Sequence, residues 1–152
     1  MTALRTLMGS YLAMLALRNV EEREHYRAEL KRTRWVDADE VTSAALLRTI
    51  RQCLGSNPGF ISVAKAAVLT SRVFPKGDIT PGDVERIIRT CLGHNEDAIE
   101  KLKMKNPELL RVLTFASLLW IHKVPEPDVL EIVSRAERDA FAAGFSPTLL
   151  PG

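Results

Sequence analysis

The chain has 152 residues, of which 46% are hydrophobic and 26% are charged, and its formal net charge is +2. This length suits one domain whose hydrophobic core is stable without a disulfide or a bound metal. The longest uncharged apolar run in the interior, 112–121, is about half of what a transmembrane helix needs, so we expect a soluble, intracellular protein without a membrane span.

The first twenty residues contain no acidic side chain and carry Arg5 and Arg18. This composition is typical of a mitochondrial transit peptide. The same segment also has apolar residues at the spacing of a helix that packs on a core, at Leu4, Leu7, Met8, Tyr11, Leu12 and Leu15. Mitochondrial targeting therefore stays open, and we favour a packed first helix.

No segment of any length alternates with a period of two, so the pattern predicts an all-α fold. An N-cap residue followed by proline marks helix starts at Asn57-Pro58, Thr80-Pro81 and Asn106-Pro107, and Glu126-Pro127 follows the same pattern. Glycine after an apolar run marks helix ends at Gly55, Gly93 and Gly144. The predicted helices are 2–18, 20–34, 43–54, 58–74, 81–92, 96–105, 107–122 and 127–143. Because Asn19 interrupts the apolar stripe without breaking it, the first two could also form one long helix.

The sequence repeats itself: RQCLGSN at 51–57 returns as RTCLGHN at 89–95. Extended upstream, 40–57 and 78–95 are identical at eight of eighteen positions, and 123–133 is a fainter third copy. Each copy places an apolar residue just before a helix start, where it can pack on the first turn. We therefore expect a compact bundle of seven or eight short helices, arranged as two or three helical-hairpin repeats in one domain, 1–144, followed by a non-helical tail, 145–152.

Two parts of this repeat resemble calmodulin-type EF-hand pairs. The helix end and linker at 50–58 are similar to the second helix and linker of that family, and 72–79 is similar to the end of a first helix and its loop. With Ile79 as the eighth loop position, Gly77 falls at the sixth and Asp83 at the twelfth, as the family has them.

The ligand positions depart from the family. The first, third and fifth positions of the loop hold side chains that are not oxygen ligands, namely Arg72, Phe74 and Lys76. The resemblance, over roughly 20–95, therefore implies a calcium-free descendant of these helical pairs; the alternative is an unrelated helical-hairpin repeat. We expect no metal and no cofactor.

Catalytic signatures are missing from the sequence. His25, His94 and His122 stand without a partner at ligand spacing, and no phosphate loop or nucleophile motif is present. Cys53 and Cys91 occupy the same position in the two repeats and are interpreted as small buried hydrophobes, with a disulfide or reactive thiol as the alternative. We expect no enzymatic activity.

Basic residues of the second helix form a stripe within an arc of about 80° on a helical wheel. They are Arg23, Arg27, Lys31 and Arg34. One hypothesis is that this basic stripe contacts nucleic-acid phosphates, with Tyr26 and Trp35 available for stacking. The alternatives are a solvated face or an internal contact with the acidic segment 78–100. The small number of aromatic residues and the modest charge weaken the nucleic-acid hypothesis.

The segment 109–121 is apolar almost all round, which is typical either of a central buried helix or of a helix covered by another chain. The candidate partner contacts at its end are Leu118, Trp120 and Ile121. The tail could likewise dock on a partner or fold back. The sequence thus predicts a non-catalytic interaction or assembly subunit that binds a helix or tail of a partner protein, or a second copy, through an apolar groove.

Overall fold

The computed structural model describes residues 3–74, 79–94, 96–104 and 106–151. This part of the chain contains seven α-helices and no strand, so the predicted all-α fold is confirmed. The helices are α1 (Leu7–Ala16), α2 (Val20–Arg32), α3 (Ala38–Leu54), α4 (Phe60–Val73), α5 (Pro81–Cys91), α6 (Pro107–Ile121) and α7 (Glu126–Ala142), with a short 3-10 helix at Glu96–Lys101. The arrangement as hairpin repeats stays a prediction.

Helix α6 lies at the centre of the bundle. It contacts α1, α3, α4 and α5, while α7 packs on α1 and α3. The side chains that fill this core are fully buried, among them Leu12, Leu46, Leu110, Phe115 and Leu118. Helix α2 packs chiefly on α1, and Leu30 is its one buried residue. No helix in the described ranges is long and apolar enough to span a bilayer.

Two predicted helix starts are confirmed to the residue. Thr80 and Asn106 are N-caps whose side chains accept hydrogen bonds from the N–H groups of Asp83 and Leu109, and a proline follows each. The three predicted helix-end glycines have a positive φ, of 99° at Gly55, 82° at Gly93 and 94° at Gly144, which glycine adopts without a steric penalty.

Other starts differ from the prediction. Helix α1 begins at Leu7 rather than residue 2, because Thr6 caps it. Arg18 has a φ of 59°, which separates α1 from α2, so they are not one long helix. Helix α4 begins at Phe60 with Gly59 as its N-cap. The prediction from Asn57-Pro58 was wrong, since that dipeptide marks turns as well as helix starts.

The starts of α3 and α7 were also misplaced. Helix α3 begins at Ala38, five residues before the predicted 43, after an Asp37 N-cap with a φ of 49°. Helix α7 begins at Glu126, so Pro127 is its second residue and Pro125 its N-cap. Neither N-cap makes a side-chain hydrogen bond to the first turn of its helix.

Asp83 joins α5 to the segment before α6. Its carboxylate is fully buried and accepts hydrogen bonds from the N–H groups of Lys103 and Met104, both at 2.9 Å. The resemblance to EF-hand pairs placed Asp83 at the last position of a degenerate calcium loop; four of the twelve positions of that loop, 75–78, lie outside the described residues. Within the described ranges, no cluster of three or more His, Cys, Asp or Glu could hold a metal.

The tail, 145–152, was expected either to dock on a partner or to fold back. It folds back onto the start of its own chain. The N–H of Leu7 donates to the carbonyl of Thr148 and the N–H of Leu150 donates to that of Arg5, both at 2.9 Å. Pro147 is buried. The N–H of Ser146 donates to Asp37 Oδ2 at 2.7 Å, so the tail also holds the loop before α3.

Both cysteines are free thiols of intermediate exposure. Burial raises the pKa of Cys53 and of Cys91 to about 11, although the charges of Arg111 and Arg51 act in the opposite direction at Cys91. Their sulfurs lie 3.9 Å from the Leu118 carbonyl oxygen and 3.7 Å from that of Ser43. The two thiols are thus only partly buried, where the sequence predicted buried side chains, and no disulfide joins them.

Both thiols should therefore react slowly with iodoacetamide in the folded protein. At pH 8 a pKa of about 11 leaves roughly one thiol in a thousand ionised, against about one in ten at the ordinary value of 9.0. We expect labelling, followed by intact mass, to be about a hundredfold slower than for the same chain in guanidinium chloride. Equal rates in the two conditions would contradict this assignment.

Candidate functional site

A cleft of about 600 Å³ opens where α1, the α2–α3 loop and the start of α6 meet. We call it the α1/α6 groove. It is lined by Met8, Tyr11, Arg27, Trp35, Asp39, Asn106, Glu108, Leu109 and Val112. Its volume falls within the range of about 300–1,000 Å³ that is usual for binding sites.

The groove has a buried apolar floor and exposed apolar walls. Met8 and Val112 are buried and form part of the floor, whereas Trp35 and Leu109 are each 40% exposed. The rings of Tyr11 and Trp35 meet edge to face, with centroids 6.1 Å apart and an interplanar angle of 87°. This contact holds the indole in place, so the groove offers a fixed aromatic surface to a ligand.

The loop that carries Trp35 has an unusual backbone. Arg34, Trp35 and Asp37 all have a positive φ, between 49° and 62°. Such left-handed conformations are unfavourable for residues other than glycine, and they persist only where the surroundings impose them. Here the N–H of Trp35 donates to the Leu30 carbonyl at 3.0 Å, and the tail binds Asp37 through Ser146. Strain of this kind is common in binding loops.

The polar rim of the groove carries both signs of charge. Burial and the charge of Glu108 raise the pKa of Asp39, and Arg111 acts in the opposite direction. Two carboxylates that repel each other favour a cation between them. Arg27 also lines the groove; its side chain is 61% exposed and lies 3.7 Å from Glu24. The rim can thus orient a ligand that carries opposite charges.

The basic stripe of α2 is partly neutralised. Arg23 and Arg27 both pair with Glu24, at 3.1 and 3.7 Å. Lys31 and Arg34 are exposed. Arg34 lies beyond the end of α2 in the strained loop, so the helical-wheel position predicted for it does not apply. The stripe is therefore shorter and less positive than its spacing suggested.

Two acids of the segment 78–100 pair with arginines of their own helix. Arg89 binds Glu85 at 2.8 Å, and Arg86 lies 3.8 Å from Asp83. These pairs are internal to α5. The internal contact with the basic stripe that the sequence left open is thus not among the ion pairs of the described residues.

The three predicted apolar contacts at the end of α6 face inward to different degrees. Leu118 is 0% exposed, so it cannot contact a partner in this conformation. Trp120 is half-buried; its indole N–H donates to the Ala16 carbonyl at 2.7 Å, and the Arg18 guanidinium lies 4.6 Å from the ring centre. Ile121 is also half-buried. These side chains serve mainly to pack α6.

The exposed apolar residue of α6 is Leu109 at its start, which the sequence did not single out. Trp35 was named only as a stacking residue. Four separate segments of the chain form the groove, so no local sequence pattern could have predicted it. The signals that the sequence did offer were Trp35, a large aromatic residue between two helices, and the basic residue Arg27.

His25, His94 and His122 are all exposed, consistent with surface histidines.

Comparison of the chain with protein-family models, with curated proteins and with solved structures gives no significant match. The function is therefore inferred from the groove itself.

Proposed function

We propose that this protein is a non-catalytic binding subunit that takes an apolar segment of a partner polypeptide, a helix or a tail, into the α1/α6 groove. The observation that carries the proposal is that Trp35 and Leu109, each 40% exposed, line one cleft with a buried apolar floor. Exposed large apolar residues gathered around a concavity are typical of interaction sites.

The energetics favour a polypeptide ligand. Apolar surface contributes about 25 cal/mol for each Å² removed from water, so covering an indole and a leucine gives a useful part of a micromolar affinity. Tryptophan is enriched among the residues that dominate binding energy. Because Tyr11 already holds Trp35, little side-chain entropy is lost when a partner binds.

The rim suggests the chemistry of the partner. A basic side chain placed beside Asp39 and Glu108 would relieve the repulsion between these carboxylates. A carboxylate at the other side can pair with Arg27. The best-fitting ligand is therefore an amphipathic segment with apolar anchors and at least one lysine or arginine.

Nucleic-acid binding through the basic stripe is a second proposal. The observation in its favour is that Lys31 and Arg34 are exposed. The pairing of Arg23 and Arg27 with Glu24 reduces the charge available for phosphates. For this reason we rank it below the groove.

Selection of displayed peptides on the wild-type protein tests the first proposal. We expect enriched peptides to be amphipathic and basic, and to lose at least about tenfold in affinity when Trp35→Ala or Leu109→Ala is introduced. Val20→Ala, at a site that is 57% exposed on α2, is the matched control and should leave affinity unchanged. Circular dichroism confirms that each variant is folded.

Peptides whose binding survives both groove variants, or a selection without enrichment, would contradict the groove. The double variant Lys31→Glu/Arg34→Glu separates the two proposals, because neither residue lines the groove. It should spare peptide affinity. Wild-type binding to mixed-sequence DNA or RNA at about 50 mM salt, lost in this variant, would instead support the second proposal.

A further inference from the structure

Helix α4 turns an apolar and basic face toward solvent. It packs on α5 and α6 through Val63, Ala66, Ala67 and Thr70, which are buried and recur at helical spacing. Besides Ser62, the exposed residues of α4 are Phe60, Ile61, Lys65, Val68 and Arg72. We call these five residues the α4 face.

The exposure is greatest at the start of the helix. Ile61 is 81% exposed and Phe60 is 68% exposed, the highest values among the exposed large hydrophobic residues described, while Val68 is 38% exposed. Single exposed apolar side chains are ordinary on protein surfaces, but two large ones side by side are not. The apolar surface is therefore concentrated in the first turn of α4.

The charged residues of α4 are both basic. Lys65 and Arg72 lie on the α4 face, and the helix carries no acid. The Arg89 guanidinium lies 4.9 Å from the centre of the Phe60 ring, and it is paired with Glu85 on its own helix. The unneutralised charge of the face thus comes from Lys65 and Arg72.

The shape and the charge of the α4 face together limit the kinds of partner that could cover it. A second copy packed along α4 would bring Lys65 and Arg72 against the same residues, with no acid on the helix to pair with them. The main clefts of the described structure are lined by other segments, so the α4 face is not a groove for an inserted side chain. A broad, fluid, negatively charged surface fits a protruding apolar turn that is flanked by cations.

We propose that the α4 face docks reversibly on a membrane surface rich in anionic lipid. Phe60 and Ile61 enter the boundary between headgroups and acyl chains, and Lys65 and Arg72 contact lipid phosphates. Amphipathic helices with aromatic and aliphatic residues on one side and basic residues beside them bind interfaces in this way. The proposal is independent of the α1/α6 groove, which involves no residue of α4.

Sedimentation of the full chain with vesicles tests this docking. We expect binding to vesicles of phosphatidylcholine mixed with phosphatidylglycerol, little binding to phosphatidylcholine alone, and release when salt rises from about 50 to about 500 mM. Ile61→Glu should reduce partition by at least about tenfold, because it places an acid at the most exposed apolar site. Val20→Glu makes the same change at an exposed valine of α2 and should bind like the wild type.

A second readout reports insertion directly. In Phe60→Trp, brominated lipid in anionic vesicles should quench the added fluorescence, with the wild type, which retains Trp35 and Trp120, as the background. If the wild-type protein stays in the supernatant with anionic vesicles, the membrane proposal is overturned. An acidic helix of a partner protein would then be the better candidate to cover the α4 face. Equal loss in Ile61→Glu and Val20→Glu, or equal binding to neutral vesicles, overturns it as well.

Discussion

Replacing Glu137 by alanine should lower the free energy of unfolding by about 3–5 kcal/mol. This carboxylate on α7 is 1% exposed. It accepts hydrogen bonds from the N–H groups of Arg5 and Thr6, at 3.0 and 2.6 Å, and from the Thr6 hydroxyl at 2.6 Å. Removing it leaves these donors without a partner at the start of α1, where the helix dipole also favours a negative charge.

Urea denaturation measures this loss. Glu137→Gln keeps the shape but loses the charge, so we expect a smaller loss of about 1–3 kcal/mol. Arg138→Ala changes the next residue, which is exposed, and should stay within about 0.5 kcal/mol of the wild type. If Glu137→Ala were as stable as Arg138→Ala, the carboxylate would have no structural role.

The second large effect should come from Gly9→Ala, with a loss of about 2–4 kcal/mol. A Cβ at Gly9 would overlap the Glu137 carboxylate and lie 2.9 Å from Thr6 Oγ1. The carboxylate cannot swing away without breaking its hydrogen bonds. In a helix, alanine ordinarily stabilises by about 1 kcal/mol relative to glycine, so the expected sign is the reverse of helix propensity.

A double-mutant cycle makes this prediction specific. In the Glu137→Ala background the obstructing carboxylate is gone and Thr6 Oγ1 remains as the close neighbour, so Gly9→Ala should cost clearly less than in the wild type. Gly82→Ala is the matched control, because Gly82 lies in the first turn of α5 and a Cβ there would have the flexible tip of Arg86, at 3.3 Å, as its nearest neighbour and Thr80 Oγ1 at an ordinary contact distance of 3.9 Å. Strict additivity of Gly9→Ala and Glu137→Ala would show that the two residues do not interact.

The sequence predicted those helix starts that depend on residues close together in the chain. The start of α5 was located to the residue because Thr80 and Pro81 impose it locally. The start of α3 was missed because it depends on a left-handed Asp37, and Asp37 is bound by Ser146 from the far end of the chain. Local capping rules cannot include a contact of that range.

The groove was beyond prediction for a related reason. The apolar pattern of α6 indicated a buried helix but did not say which end reaches the surface, so Leu118 was chosen and Leu109 was not. Packing by α1, α3, α4 and α5 decides between them, since it covers Leu118 completely and leaves Leu109 at 40% exposure. Of the lining residues, Arg27 was recognised in advance for its charge and Trp35 for its aromatic ring, whereas Met8 and Tyr11 were named only as residues that pack the first helix.

The attachment of α1 has a consequence for synthesis on the ribosome. Its first turn depends on Glu137, which lies 132 residues after Arg5, and on backbone bonds that join this turn to Thr148 and Leu150. While the chain is still being made, α1 therefore lacks the groups that satisfy its start until α7 and the tail have been synthesised. Such long-range closure forms late and slowly. The nascent protein should thus acquire its native N-terminal structure only when α7 and the tail have emerged.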